Sequence, residues 1–249
     1  MGKKIKWFIG CSGFYYNEWK EIFYPDGLPQ KKWFEHYAQH FSTLELNVTF
    51  YRFPELSFLQ NWYAKSPDDF LFSVKVPRLI THYKKFSGTK ELIIDFYKII
   101  HKGLQKKLGC ILFQLPASIA YTPELLERII NAVNPSFQNV IEFRNQSWWN
   151  DDVRKTLSAG KITFCGVSIA KLPDEVMTDT NIVYYRFHGV PVLYKSEYSH
   201  HDLKKIADSI IADKKIEQAY IYFNNTWGPA ALHNAQWLVQ YCVEHSHHQ

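Results

Sequence analysis

The stretch NVIEFRNQSWW, from Asn139 to Trp149, opens as a buried strand and closes as a polar cluster. Asn139, Val140 and Ile141 suit a strand core, and Glu142, Arg144, Asn145 and Gln146 follow at once. A short apolar run that ends in a carboxylate and a guanidinium fits a strand delivering charge to its carboxyl end. Side chains alternate along a strand, so Glu142 and Arg144 share a side.

Similar runs recur along the chain. Residues 5–10, 43–46, 70–74, 109–113, 139–141, 162–167, 182–187 and 219–223 are apolar, β-branched or aromatic. Between them lie helical patterns: PQKKWFEHYAQHF, KELIIDFYKIIHKGL, TPELLERIINAV, DDVRKTLSAG, SEYSHHDLKKIADSIIAD and GPAALHNAQWLVQYCVEH. Thr122 and Pro123 read as N-cap and first helical residue. Strands that alternate with helices predict βαβ units and a parallel sheet. Eight such runs in 249 residues predict an α/β fold, a (β/α)8 TIM-like barrel forming a single domain over residues 1–249. A doubly wound sheet is the alternative, but GCSG after the first run lacks the G-x-G-x-x-G pattern.

The composition bounds the function classes. Hydrophobic residues make up 46% and charged residues 21%, the balance of a globular protein able to bury a core without disulfides. The four cysteines form no C-x-x-C pair, which argues against a zinc or iron–sulfur framework and for a reduced, cytoplasmic protein. No apolar run reaches membrane-spanning length, so no membrane partner is expected, and the basic start MGKK precedes too short an apolar run for a signal peptide. The net charge of +5 is spread over scattered lysine pairs, Lys3–Lys4 and Lys106–Lys107 among them, rather than a stripe. That distribution favours a small anionic partner over a nucleic-acid groove.

The residues after each run are the candidate site. They are Ser12; Glu45, Asn47 and Thr49; Lys75 with His82; Gln114; Glu142 and Arg144; Ser168; Arg186 and His188; and Asn224 and Asn225. Alternation puts Glu45, Asn47 and Thr49 on one side of a continuing strand, and likewise Arg186 and His188. In a barrel all of these would share one opening. Mutually satisfied polar layers also occur inside barrels, but so many ionisable groups at one end point to a site.

The stretches GCSGFYYNEWKEIFYP, TLELNVTFYRFP, FSVKVPRLITH, LGCILFQLP, IEFRNQSW, YYRFHG and YFNNTWGPAALHNA resemble the YecE-like family, domain of unknown function 72, over nearly the whole chain. The resemblance implies a fold similar to TIM barrels and assigns no activity. Two positions depart from the family's pattern: Asn145 stands where His often follows Glu-Phe-Arg, and Ser168 where Asp often ends the sixth strand.

Two functions are expected. The first is an enzyme acting on a small phosphate- or carboxylate-bearing molecule by metal-independent, cofactor-free acid/base chemistry. Glu45, Glu142, Lys75 and His188 are its candidate catalytic groups. Arg186 and the helix start at Gly228 and Pro229 would bind the anion. A divalent metal on Glu45, Glu142, His188 and His82 is disfavoured, because no ligand spacing demands it and Lys75, Arg144 and Arg186 bring positive charge. The second function is nucleotide or nucleic-acid binding, phosphodiesterase-like if catalytic. Tyr15, Tyr16, Trp19, Tyr51, Trp148, Trp149 and Trp227 would stack on bases. The tail EHSHHQ is read as solvated rather than metal-binding.

Overall fold

The computed structural model describes residues 4–245. Lys3, of the first lysine pair, and most of the EHSHHQ tail lie outside them. The strands are β1 (Lys6–Cys11), β2 (Thr43–Leu46), β3 (Leu71–Lys75), β4 (Leu108–Leu115), β5 (Asn139–Phe143), β6 (Ile162–Phe164), β7 (Gly166–Ser168), β8 (Ile182–Phe187) and β9 (Gln218–Phe223). The helices are α1 (Trp33–His40), α2 (Val48–Tyr51), α3 (Leu56–Lys65), α4 (Lys90–Leu104), α5 (Pro123–Ala132), α6 (Asp151–Ala159), α7 (His200–Ala212) and α8 (Ala230–His245). None is long and apolar enough to cross a membrane.

The chain forms two compact units. One comprises Met1–Leu44 and Cys165–Gln249, the other Glu45–Phe164. The strands form two sheets rather than the single closed eight-stranded one expected. The first unit holds the order β1-β9-β8-β7. The other sheet runs β2-β3-β4-β5-β6, with β2 crossing the unit boundary. The run at 162–167 is two strands rather than one: the ladder breaks at Cys165, and β6 and β7 belong to different sheets.

In the first unit, β1, β8 and β9 lie parallel, with Gly10 level with Tyr222 and Tyr222 level with Arg186. Gly10 has no room for a side chain. A Cβ there would lie 2.4 Å from the Thr43 carbonyl oxygen and 2.8 Å from the Tyr37 hydroxyl. Tyr37 uses that hydroxyl twice, donating to the Thr43 carbonyl (3.0 Å) and accepting from the Cys11 N–H (2.8 Å).

In the second unit, β3, β4, β5 and β6 are parallel. Lys75 is level with Leu112, and Gln114 with Glu142. Level residues in a ladder share a face, as do residues two apart, so Lys75, Gln114 and Glu142 project to one side. Thr122 caps α5 as its sequence predicts, accepting the Leu125 N–H at 3.2 Å with Pro123 in the first turn.

Candidate functional site

The second unit gathers charge at the carboxyl ends of β3 and β5. Glu142 is fully buried, and Arg144, one residue past the strand, turns its Nε to within 2.6 Å of a Glu142 carboxylate oxygen. That contact answers why a strand ends in Glu-Phe-Arg: a buried carboxylate needs a cation within reach. Lys75 ends β3 with its Nζ 4.1 Å from the centre of the Phe50 ring. Thr49 fastens the neighbouring turn, donating to the Leu46 (3.0 Å) and Lys75 (2.5 Å) carbonyls.

After β3 the chain makes one π-helical turn, Leu79–Tyr83, which places His82 at the cluster. Such single turns are frequent at functional sites. The His82 ring meets Phe50 edge to face at 5.0 Å, and its Nδ1 pairs with the buried Thr81 hydroxyl at 2.8 Å. Its pKa is pushed down to about 4. Burial is the largest cause; the charges of Lys75, Arg144 and Arg78 add to it, and Glu142 opposes them. Three cations and one carboxylate therefore act on one imidazole, which is neutral at pH 7.

Gln114 lies beside Glu142 in register and turns its amide to the Leu115 carbonyl (2.9 Å). Glu45 is fully buried on β2, the strand next to β3. The expected continuation of that strand through Asn47 and Thr49 is not formed. Asn47 has helical dihedrals (φ −93°, ψ −16°) and begins α2, so Glu45, Asn47 and Thr49 do not line one strand face.

The first unit builds a different arrangement at the ends of β8 and β9. Arg186 is fully buried and its Nη1 lies 3.4 Å from Nε2 of His188, while Nδ1 of His188 lies 3.0 Å from the Asn224 amide. Asn225 donates to the Ser196 carbonyl (3.0 Å) and to the Asn234 side-chain oxygen (3.1 Å). Asn234 also joins Tyr198 through both of its backbone groups, at 3.1 and 2.9 Å. The Tyr198 hydroxyl accepts the Gly189 N–H (2.8 Å). The Gly228 carbonyl accepts from Trp19 Nε1 at 2.9 Å, and Tyr16 donates to the Ser12 carbonyl at 2.6 Å.

Two rings expected to stack on a ligand are structural. Trp19 and Trp148 are fully buried, and Trp148 lies flat on Phe143 at 4.1 Å while donating to the Ile119 carbonyl. With no exposed face, they pack the interior of their units. Tyr51 and Trp227 do present exposed rings. The two departures from the family pattern have local roles. Asn145 caps the turn at Gln146–Trp148, accepting the Ser147 N–H at 3.0 Å, and donates to the Ala117 carbonyl at 2.8 Å. Ser168 accepts the His188 N–H on its carbonyl at 3.1 Å.

Arg78 and Phe50 are the residues that sequence reasoning missed. Arg78 precedes His82 by four positions, a spacing that puts both on one side of a helical turn. Among the described residues no group of three or more His, Cys, Asp or Glu side chains gathers as a metal site.

Comparison with known proteins follows the same outline. The chain is 24% identical to the UPF0759 protein YunF of Bacillus subtilis, over 94% of this chain and 93% of that protein. It is 28% identical to the UPF0759 protein YecE of Escherichia coli, over 54% of this chain and 53% of that protein. Among solved structures, a DUF72 family protein from Thermotoga maritima superposes with a TM-score of 0.85 at 27% identity, covering 95% of this chain and 98% of that one. A DUF72 family protein from Enterococcus faecalis, 19% identical, shares the fold with a TM-score of 0.80 over 96% and 95% of the two chains. The family described as "Protein of unknown function DUF72" matches residues 8–249, and this chain belongs to it.

Proposed function

We propose that this protein is an enzyme acting on a small anionic molecule, phosphate- or carboxylate-bearing, at the carboxyl ends of β3 and β5. The observation that carries the reading is the gathering of charge around His82, where Lys75, Arg78 and Arg144 act on the ring together with Glu142. Holding like charges together in a partly desolvated place is costly, and such places concentrate at functional sites. An anion arriving there gains the attraction of all three cations, and a planar guanidinium suits a phosphate or carboxylate oxygen pair.

The remaining groups supply acid/base chemistry without a metal or cofactor. His82, neutral at pH 7, takes up a proton more readily once a bound anion offsets the surrounding cations. Glu142, steered by Arg144, and Glu45 on the adjacent strand are the carboxylates of the same reading, and Lys75 holds the substrate's charge. Arg186, His188 and Asn224 form a polar cluster in the first unit. The closed (β/α)8 barrel, the single domain and a cytoplasmic location belong to this reading as proposals. An experimental structure showing whether the sheets close would test the first two.

Calorimetric titration with inorganic phosphate tests the site. Binding is expected, and Arg78→Gln, a change at an exposed side chain, should weaken it several-fold while leaving the fold intact. The buried Lys75→Gln should weaken it about 10-fold or more. Phosphate binding that ignores both substitutions would refute the assignment.

A further inference from the structure

The cation cluster continues outward into exposed aromatic rings, and this continuation carries information about the rest of the ligand. The Arg78 guanidinium carbon lies 5.5 Å from the centre of the Tyr51 ring and 5.6 Å from that of Tyr83. Tyr51 is 68% exposed and Tyr83 64%. Large aromatic side chains usually cover their faces, so two rings kept in solvent beside one guanidinium are a prepared surface. The rings connect inward through Phe50, which meets Tyr51 edge to face at 5.1 Å and His82 at 5.0 Å and carries the Lys75 ammonium on its own face. Flat apolar faces on the outside thus lead to cations on the inside.

A ligand that matches both halves joins a planar ring to an anion. We infer that the substrate class of the proposed site is a nucleoside monophosphate, its base stacked on Tyr51 or Tyr83 and its phosphate drawn toward Lys75, Arg78 and Arg144. This inference rests on the anion reading of the same cluster and adds the base. Stacking on an aromatic ring is tolerant of base identity, because every base has a π-face. A single nucleotide is favoured over a strand because the cations form one compact group. A strand would need charges repeating along its backbone. The basic residues elsewhere come as scattered pairs.

The test compares adenosine monophosphate, adenosine, inorganic phosphate and a short oligodeoxynucleotide by calorimetry on the full chain. Adenosine monophosphate should bind about 10-fold more tightly than phosphate, the order expected from one stacked base. It should also bind more tightly than adenosine. Tyr51→Ala combined with Tyr83→Ala should remove the advantage over phosphate while phosphate itself still binds. That retained binding shows the double variant folded, since both rings are exposed. Adenosine monophosphate binding no tighter than phosphate would overturn the nucleotide assignment and leave the anion site standing. So would an advantage that survives loss of both rings. Tighter binding of the oligonucleotide, weakening steeply with salt, would replace the nucleotide by a strand. If neither phosphate nor adenosine monophosphate binds, both readings fall together.

Discussion

The strand ends of the two units solve the problem of buried polarity in opposite ways. At β8 and β9 neutral amides, hydroxyls and backbone groups bond one another beside the buried Arg186: Asn234 alone bonds Asn225 and both backbone groups of Tyr198, while the Asn225 side-chain oxygen is left without a hydrogen bond. At β3 and β5 they are ions: Lys75, Arg78, Arg144 and Glu142 all act on His82, and Glu45 is buried on the next strand. A network built largely of amides and backbone groups fixes loops. An ionic cluster that reaches solvent at the exposed Arg78 is open to a counter-charge. The difference teaches that polarity at a strand end is a weak sign of function, while charge that gathers on one ring and reaches the surface is a stronger one.

The contrast breaks most visibly at Asn234. It sits inside α8, where Asn is a poor helix former, so its place there depends on its tertiary bonds. Asn234→Ala improves helix propensity but strands the Tyr198 backbone N–H and carbonyl in the interior. Each such group costs about 1–3 kcal/mol, so a net loss of about 3 kcal/mol is expected in urea denaturation. Phosphate binding at the other cluster should not change. A fully stable variant would show that these amides are not what holds the loops.

The second unit should respond more gently. Arg144→Gln leaves the buried Glu142 with one cation fewer and should cost about 2 kcal/mol, below the range for fully buried pairs because Arg144 is partly exposed. Adding Glu142→Gln removes the charge that Arg144 served, so the double variant should recover part of the loss in a double-mutant cycle. If the double variant is less stable than the sum of the single ones, the two residues are not partners in this sense.

How much of this was legible follows from which signals are local. The end of β5 was legible because Glu142 and Arg144 stand two apart on one chain, and the α5 start because Thr122 and Pro123 are adjacent. The α2 turn was not: LELNVTFY alternates like a strand, and the chain turns instead at Asn47, held by Thr49 bonding a carbonyl of β3. That bond is invisible without the fold. The break at Cys165 was hidden because an apolar run looks the same whether its halves join one sheet or two. Asn234 gave no signal, since a polar residue in a helix is ordinarily solvated. Arg78 did give one, its four-residue spacing from His82, but it becomes meaningful only once Leu79–Tyr83 is helical.

The smallest effect is the most discriminating, because it reads the charges around His82 directly. His82 should titrate near pH 4 in the free protein, followed by NMR of its ring protons. Its folded pKa lies below the ordinary value of 6.5, so between those two values the unfolded chain binds more protons than the folded one. The contribution of His82 to stability is therefore complete above pH 6.5 and lost as the pH falls toward 4. Arg78→Gln removes one of the opposing cations and should move the titration upward. Saturating phosphate should do the same in the unaltered protein by offsetting all three cations. Burial is the larger cause of the depression and neither change removes it, so both shifts should stop short of 6.5. A titration that ignores phosphate while phosphate is bound would place the anion away from His82. The charged cluster would then be as self-contained as the amide network of the other unit.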